Sequence, residues 1–169
     1  SPTLAMLSPK LFMLSSIYST IKSLLRKSKN QVITTEELQV CLKFWESLYE
    51  AIPEWRAVER KELSPSNLRK DYITGYSIFL EAIGQVGASL YFDSSDKEFT
   101  AFGKLSQLDW SKTNKEWLGR AISRAGRISN NVEAVRLTAN YIKISLKIEL
   151  NQDDLRFESR FKEGDISDV

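Results

Sequence analysis

Residues 108–131, LDWSKTNKEWLGRAISRAGRISNN, set Lys112, Lys115, Arg120, Arg124 and Arg127 among two tryptophans and two glycines. Side chains of this kind suit a polyanion: arginine grips phosphate oxygens through two parallel hydrogen bonds, and lysine supplies a compact charge. Arg120, Arg124 and Arg127 would share one side of a helix if a helix continues through them, and a loop around Gly126 would bring backbone N–H groups close to an anion. The opposing reading is a solvated face, partly neutralised by Asp109, Glu116 and Glu133. Trp110 and Trp117 read as core, since stacking on exposed bases would require an exposure that sequence does not establish.

Other chemistries find little support. The chain has no histidine, which removes the usual general base and the commonest metal ligand, and its single Cys41 excludes an internal disulfide and a cysteine metal cluster. Cys41 lies between Val40 and Leu42 and reads as a small buried residue rather than a nucleophile. A phosphate-cradling GxxxxGK[ST] loop, an HExxH pair and a GxSxG elbow are all missing. Asp153 and Asp154 could hold a cation in principle, but adjacent carboxylates on a polar tail read as solvated surface. No catalytic residue, metal or cofactor is therefore expected.

The 169 residues, 42% hydrophobic and 27% charged, are those of an ordinary globular chain with one sizeable core. No run is long enough to span a bilayer, so no membrane association is expected, and a cytoplasmic location fits best. The chain opens on SPTLAMLSPK without an initiator methionine, and is expected to be a piece of a longer protein. Net charge is only +2, yet residues 104–147 carry nine basic and three acidic groups while residues 148–169 carry three and seven. Such blocks can produce a local positive face on a nearly neutral molecule.

The elements that must position the basic segment read as helices. Leu11, Leu14, Ile17, Ile21, Leu24 and Leu25 recur at helical spacing. Thr34 and Glu37 form a plausible capping box for a second helix with Leu38, Leu42, Trp45, Leu48 and Tyr49 inward, ended by Pro53. Trp45 and Trp55 flank that end and read as core. Ser64 and Pro65 open what reads as one long central helix to about Tyr91, where Gly84, Gly87 and Ala88 would admit a close neighbour. A shorter helix is expected over about 97–107, another from the Thr113/Glu116 box to about Ser123, then a loop, and a last strong helix over about 132–147 with Val132, Val135, Ala139, Ile142 and Leu146 as its stripe. The fold class is all-α, a compact array of six or seven helices, with residues 1–150 as the domain and 151–169 as an acidic, partly disordered tail.

The segments FWESLYEAIPEW (44–55), LSPSNLRKDYITGYSIFLEAIGQVGASL (63–90), LSQLDWSKTNKEWLGRAISRAGRIS (105–129) and NNVEAVRLTANYIK (130–143) resemble, in order and spacing, the C-terminal half of the DNA sulfur modification protein family DndB. The most specific part of the resemblance is a DWS-basic-x-N…W-x-GR…GR pattern, met by Asp109, Trp110, Ser111, Lys112, Asn114, Trp117, Gly119, Arg120, Gly126 and Arg127. Lys112 stands where the family pattern has arginine, Thr74–Tyr76 where it has a histidine-containing stretch, and Gln85 where it has a basic residue. The DGQHR-containing N-terminal half of the family is absent.

The resemblance implies a DNA-binding regulator, a transcriptional repressor, or an accessory component of bacterial DNA phosphorothioation. Double-stranded DNA is the expected partner, together with other phosphorothioation proteins, and no enzyme activity is expected. Lys112, Lys115, Arg120, Arg124, Arg127 and Arg136 would face DNA. Asp109, Trp110, Asn114, Trp117, Gly119 and Gly126 would build the segment that carries them. The alternative is a helical module that docks the absent N-terminal half or another DNA-modification protein.

Overall fold

A computed structural model of the chain describes residues 10–164. Among these the α-helices are α1 (Leu14–Leu24), α2 (Thr35–Ala51), α3 (Pro53–Glu59), α4 (Pro65–Asp71), α5 (Ser77–Ala88), α6 (Val132–Ser145) and α7 (Gln152–Lys162). Short 3-10 turns cover Ile73–Gly75, Thr100–Gln107 and Lys115–Trp117, and a π-turn covers Ser89–Asp93. Pairing of extended backbone among the described residues is limited to isolated bridges, so the class is all-α.

Local signals set most of the boundaries. Thr34 and Glu37 form the reciprocal capping box, Ser64 accepts the Asn67 N–H ahead of Pro65, and Asn131 and Asn151 cap α6 and α7. Helix α5 is apolar almost all round, with Ile78, Phe79, Leu80, Ala82, Ile83 and Val86 buried, and it lies at the centre against α1 and α6. Its two glycines admit α1 and the Phe44 ring of α2. A Cβ on Gly84 would stand 3.0 Å from the Thr20 carbonyl oxygen, and one on Gly87 would stand 2.7 Å from Phe44 Cε2.

The stretch from Pro65 to Asp93 is not one continuous helix. Tyr72 and Tyr76 are extended, and the 3-10 turn between them separates α4 from α5. The interruption has a cause in tertiary pairing. The Ile73 N–H donates to the Trp110 carbonyl at 3.0 Å and the Lys112 N–H to the Asp71 carbonyl at 2.8 Å, which closes a bridge between Tyr72 and Ser111. An unbroken helix would have used those backbone groups internally.

Helix α2 is turned relative to the face expected from sequence. It buries Cys41, Phe44, Leu48 and Ala51, while Leu38 and Leu42 face outward. Phe44 decides this, because its ring meets Trp45, Phe99 and Phe102 edge-on at 5.1–5.6 Å. Trp55 is buried, whereas Trp45 is half-buried. Val132, placed on the inner stripe of α6, is exposed at its first turn.

Residues 151–164 are also more ordered than their composition suggests, and residues 165–169 of the expected acidic tail lie outside the described residues. Residues 152–162 form α7, which packs on α6, and Asp154 and Glu158 are buried there.

Candidate nucleic-acid interface

The basic segment starts from two indoles. Trp110 and Trp117 stack with centroids 5.4 Å apart and planes 12° apart; Phe79 meets Trp110 and Tyr141 meets Trp117 edge-on. Each buried indole N–H has an acceptor, Trp110 Nε1 donating to the Leu105 carbonyl and Trp117 Nε1 to the Asp109 carbonyl, both at 2.9 Å. Asn114 Nδ2 donates to the same Asp109 carbonyl at 2.8 Å, and Asn114 Oδ1 accepts the Glu116 N–H. The Asp109 carboxylate accepts from Ser111, which holds it below the usual carboxylate range. Asp109, Trp110, Asn114 and Trp117 thus shape the backbone of the segment.

No α-helix runs from Thr113 to Ser123. The Thr113/Glu116 box gives way to the Asn114 cap of a single 3-10 turn, after which Gly119 adopts φ +76° and Gly126 φ +82°. A left-handed residue ends helical propagation, and glycine takes that conformation without steric cost. The Trp117 carbonyl accepts the Arg120 and Ile122 N–H groups, the Ser123 N–H donates to the Arg127 carbonyl, and the Ser129 N–H donates to the Ala121 carbonyl. Arg120, Arg124 and Arg127 therefore do not share a helical side.

The turns sort the six expected DNA-facing cations. Lys115, Arg124 and Arg127 are exposed, and none of them forms an ion pair among the described residues. Gly126, at the tip between the two arginines, has open space where a Cβ would stand. Lys112 is half-buried and its Nζ donates to the Tyr76 hydroxyl at 2.8 Å. Arg120 is only 5% exposed, so with α7 in place its guanidinium is not presented at the surface as the sequence led one to expect. Its Nη1 donates to the Leu137 carbonyl at 2.7 Å and, with Nη2, grips the Glu158 carboxylate from both sides. Its guanidinium lies 4.4 Å from the Phe161 ring centroid. Arg136 is likewise engaged, its Nε pairing with Asp154 at 2.9 Å.

Sequence reasoning placed Asp154 on a solvated tail, whereas it is buried, and passed over Glu158, Asn140 and Lys143. Asp154 also pairs with Lys143 Nζ at 3.1 Å, and Asn140 Nδ2 faces Glu158 at 3.4 Å. The available signal was the spacing in 151–162: Asn151 as a cap, then Asp154/Glu158 and Phe157/Phe161 as two i,i+4 pairs on neighbouring faces. Among the described residues no group of three His, Cys, Asp or Glu side chains could hold a metal ion, and no helix is long and apolar enough to cross a membrane.

The family model DndB: DNA-sulfur modification-associated matches residues 1–149, which covers the stacked tryptophans and the turns at Gly119 and Gly126. The chain belongs to the DndB family. No curated protein and no solved structure matches it. Membership links this DndB-family domain to DNA phosphorothioation systems, and all six expected cations fall inside the matched residues, whereas α7 lies outside them.

Proposed function

We propose that this DndB-family domain binds double-stranded DNA through Lys115, Arg124 and Arg127, with Lys112 at the margin, and serves as a non-catalytic regulator or accessory component of DNA phosphorothioation. The observation that carries the reading is a set of exposed cations, without an ion pair among the described residues, on a hydrogen-bonded support: Arg124 and Arg127 flank a tight turn closed by the Ser123 N–H on the Arg127 carbonyl and the Ser129 N–H on the Ala121 carbonyl. Contacts of this type position a protein on the phosphate backbone and carry no base information themselves. A regulator acting on genomic DNA would work in the cytoplasm.

The test is a salt-titrated binding assay on duplex DNA. Log affinity should fall linearly with log salt, at a slope of roughly −0.9 per contacted phosphate, and Arg124→Ala with Arg127→Ala should flatten the slope by about two units. An unchanged slope in that double variant, with its helical spectrum intact, would remove the turn from the interface.

A second reading, docking of another protein, is favoured by one specific observation. An apolar recess of about 360 Å³ is lined by Leu11, Phe12, Ile17, Trp45, Tyr49 and Trp55. Leu14 of α1, at 81% exposure, and Leu42 of α2, at 54%, are further exposed apolar side chains on two of the helices that line it. Patches of this kind commonly receive a partner. Residues 4–9 of the apolar N-terminal stretch lie outside the described residues. Binding of this domain to a separately produced DGQHR-containing half, abolished by Trp45→Asp, would support docking; indifference to that half would count against it.

A further inference from the structure

The face of α6 beneath α7 carries Arg136, Asn140 and Lys143 at spacings of four and three residues, and Arg120 reaches the same place from the turn after Gly119. Three cations and an amide thus converge on one patch. Two carboxylates of α7 occupy it. Asp154 bridges Arg136 and Lys143, and Glu158, one helical turn later, is held by Nη1 and Nη2 of Arg120 with Asn140 alongside. Bidentate arginine, a second cation and an amide donor form the donor set that also recognises a phosphate diester.

Helix α7 distributes its charge by side. Asp154 and Glu158 face inward and are buried, while Arg156, Arg160 and Lys162 face solvent. Its apolar attachment rests on Phe157 and Phe161, both partly buried against the core and beneath the Arg136 and Arg120 guanidiniums, while Leu155 is half-exposed. Attachment through buried ion pairs yields little net stabilisation, because desolvation offsets most of the attraction. A competing polyanion restores the lost pairs, so exchange of one set of anions for the other is closer to balance than detachment of an apolar helix would be.

We propose that Arg120, Arg136, Asn140 and Lys143 form a second phosphodiester-binding site, closed by the α7 carboxylates and opened when a nucleic-acid backbone displaces α7. The inference rests on the DNA-binding reading and deepens it. In the closed state only Lys115, Arg124, Arg127 and the margin at Lys112 meet DNA. In the open state the contact surface extends along α6.

The experiment compares the full chain with Asp154→Asn/Glu158→Gln and with the control Asp153→Asn, which alters charge on the same helix at an exposed residue that pairs with Arg156. The double variant should bind duplex DNA more tightly, with a salt slope steeper by about one to two units, whereas the control should match the parent. Hydrogen exchange on the unaltered chain provides a reading free of folding effects: amides of α7 should lose protection when saturating duplex is added. If the parent binds DNA with a slope set by Arg124 and Arg127, but α7 keeps its protection, the covered site falls and α7 is a structural brace. A double variant that folds and binds like the control overturns it equally. If neither parent nor variants bind duplex, the DNA-binding reading falls, and the covered site with it.

Discussion

Trp110 and Trp117 lie face to face, 5.4 Å apart, and the backbone carbonyl of Asp109 accepts from both the Trp117 indole and the Asn114 amide. One carbonyl thus ties the stack to the turn that begins the basic segment. Core and surface are joined over only a few residues: Trp117 is fully buried, and Lys115, two residues before it, is exposed. The tryptophans and the cations of the segment belong to one element with an inner and an outer side.

Removing one indole should therefore disturb both sides. Trp117→Ala should cost about 3–5 kcal/mol, the range for deleting a buried aromatic, and it removes the stacking partner of Trp110 and the edge contact of Tyr141. Chemical denaturation read by circular dichroism checks this. A loss below about 1 kcal/mol would show that the stack is not what holds the segment.

The close approach of helices at α5 gives a second expectation. Gly87→Ala would set a methyl group 2.7 Å from Phe44 Cε2 and 2.9 Å from Leu24 Cδ1, both in fully buried side chains. Overpacking of this kind costs about 1–3 kcal/mol. Gly103 is the control, since a Cβ there meets nothing within 4 Å, and Gly103→Ala should be neutral or slightly stabilising. Equal melting temperatures for the two variants would place Gly87 outside any helix contact.

Titration of Glu81 gives a third. The residue lines a recess between α1 and the start of α5, and burial raises its carboxyl above the usual range. A folded value above the unfolded one means that the native state binds more protons between the two, so stability falls as pH rises through that window. Glu81→Gln should stabilise the protein at neutral pH, and the advantage should shrink below the unfolded carboxylate value. Melting curves at pH 7 and pH 3.5 check it; an advantage unchanged between them would assign the effect to something other than ionisation.

Periodicity and caps carried much of the fold. The Thr34 box, Ser64-Pro65 and the Asn131 cap all start helices, and each signal is local, so a short window of sequence contains it. The break at Tyr72–Tyr76 was hidden because its cause is a bridge to Ser111, nearly forty residues away. The outward turn of Leu38 and Leu42 was hidden for a related reason: only the aromatic cluster around Phe44 selects which of two adjacent apolar stripes faces inward. At the site, the tryptophans and glycines were readable because indoles favour burial and glycine favours left-handed turns. The fate of each arginine was not, since charge alone does not reveal whether a carboxylate from α7 will reach it.

That distinction among arginines yields the sharpest comparison. Arg120 and Arg127 occupy equivalent places in the two GR pairs, one buried on Glu158 and the other exposed at the turn. Arg120→Ala would leave Glu158 buried beside Asn140 without its cation, at a cost of about 3–5 kcal/mol. Arg120→Lys would keep the charge but not the planar fork, so it should recover only part of that loss. Arg127→Ala should change stability by no more than about 0.5 kcal/mol, as surface substitutions do, and should instead weaken duplex binding while flattening the salt slope by about one unit. Denaturation and DNA titration on the three variants separate the roles. If Arg127→Ala destabilises the domain while Arg120→Ala leaves it intact, the burial assigned to these two residues is reversed.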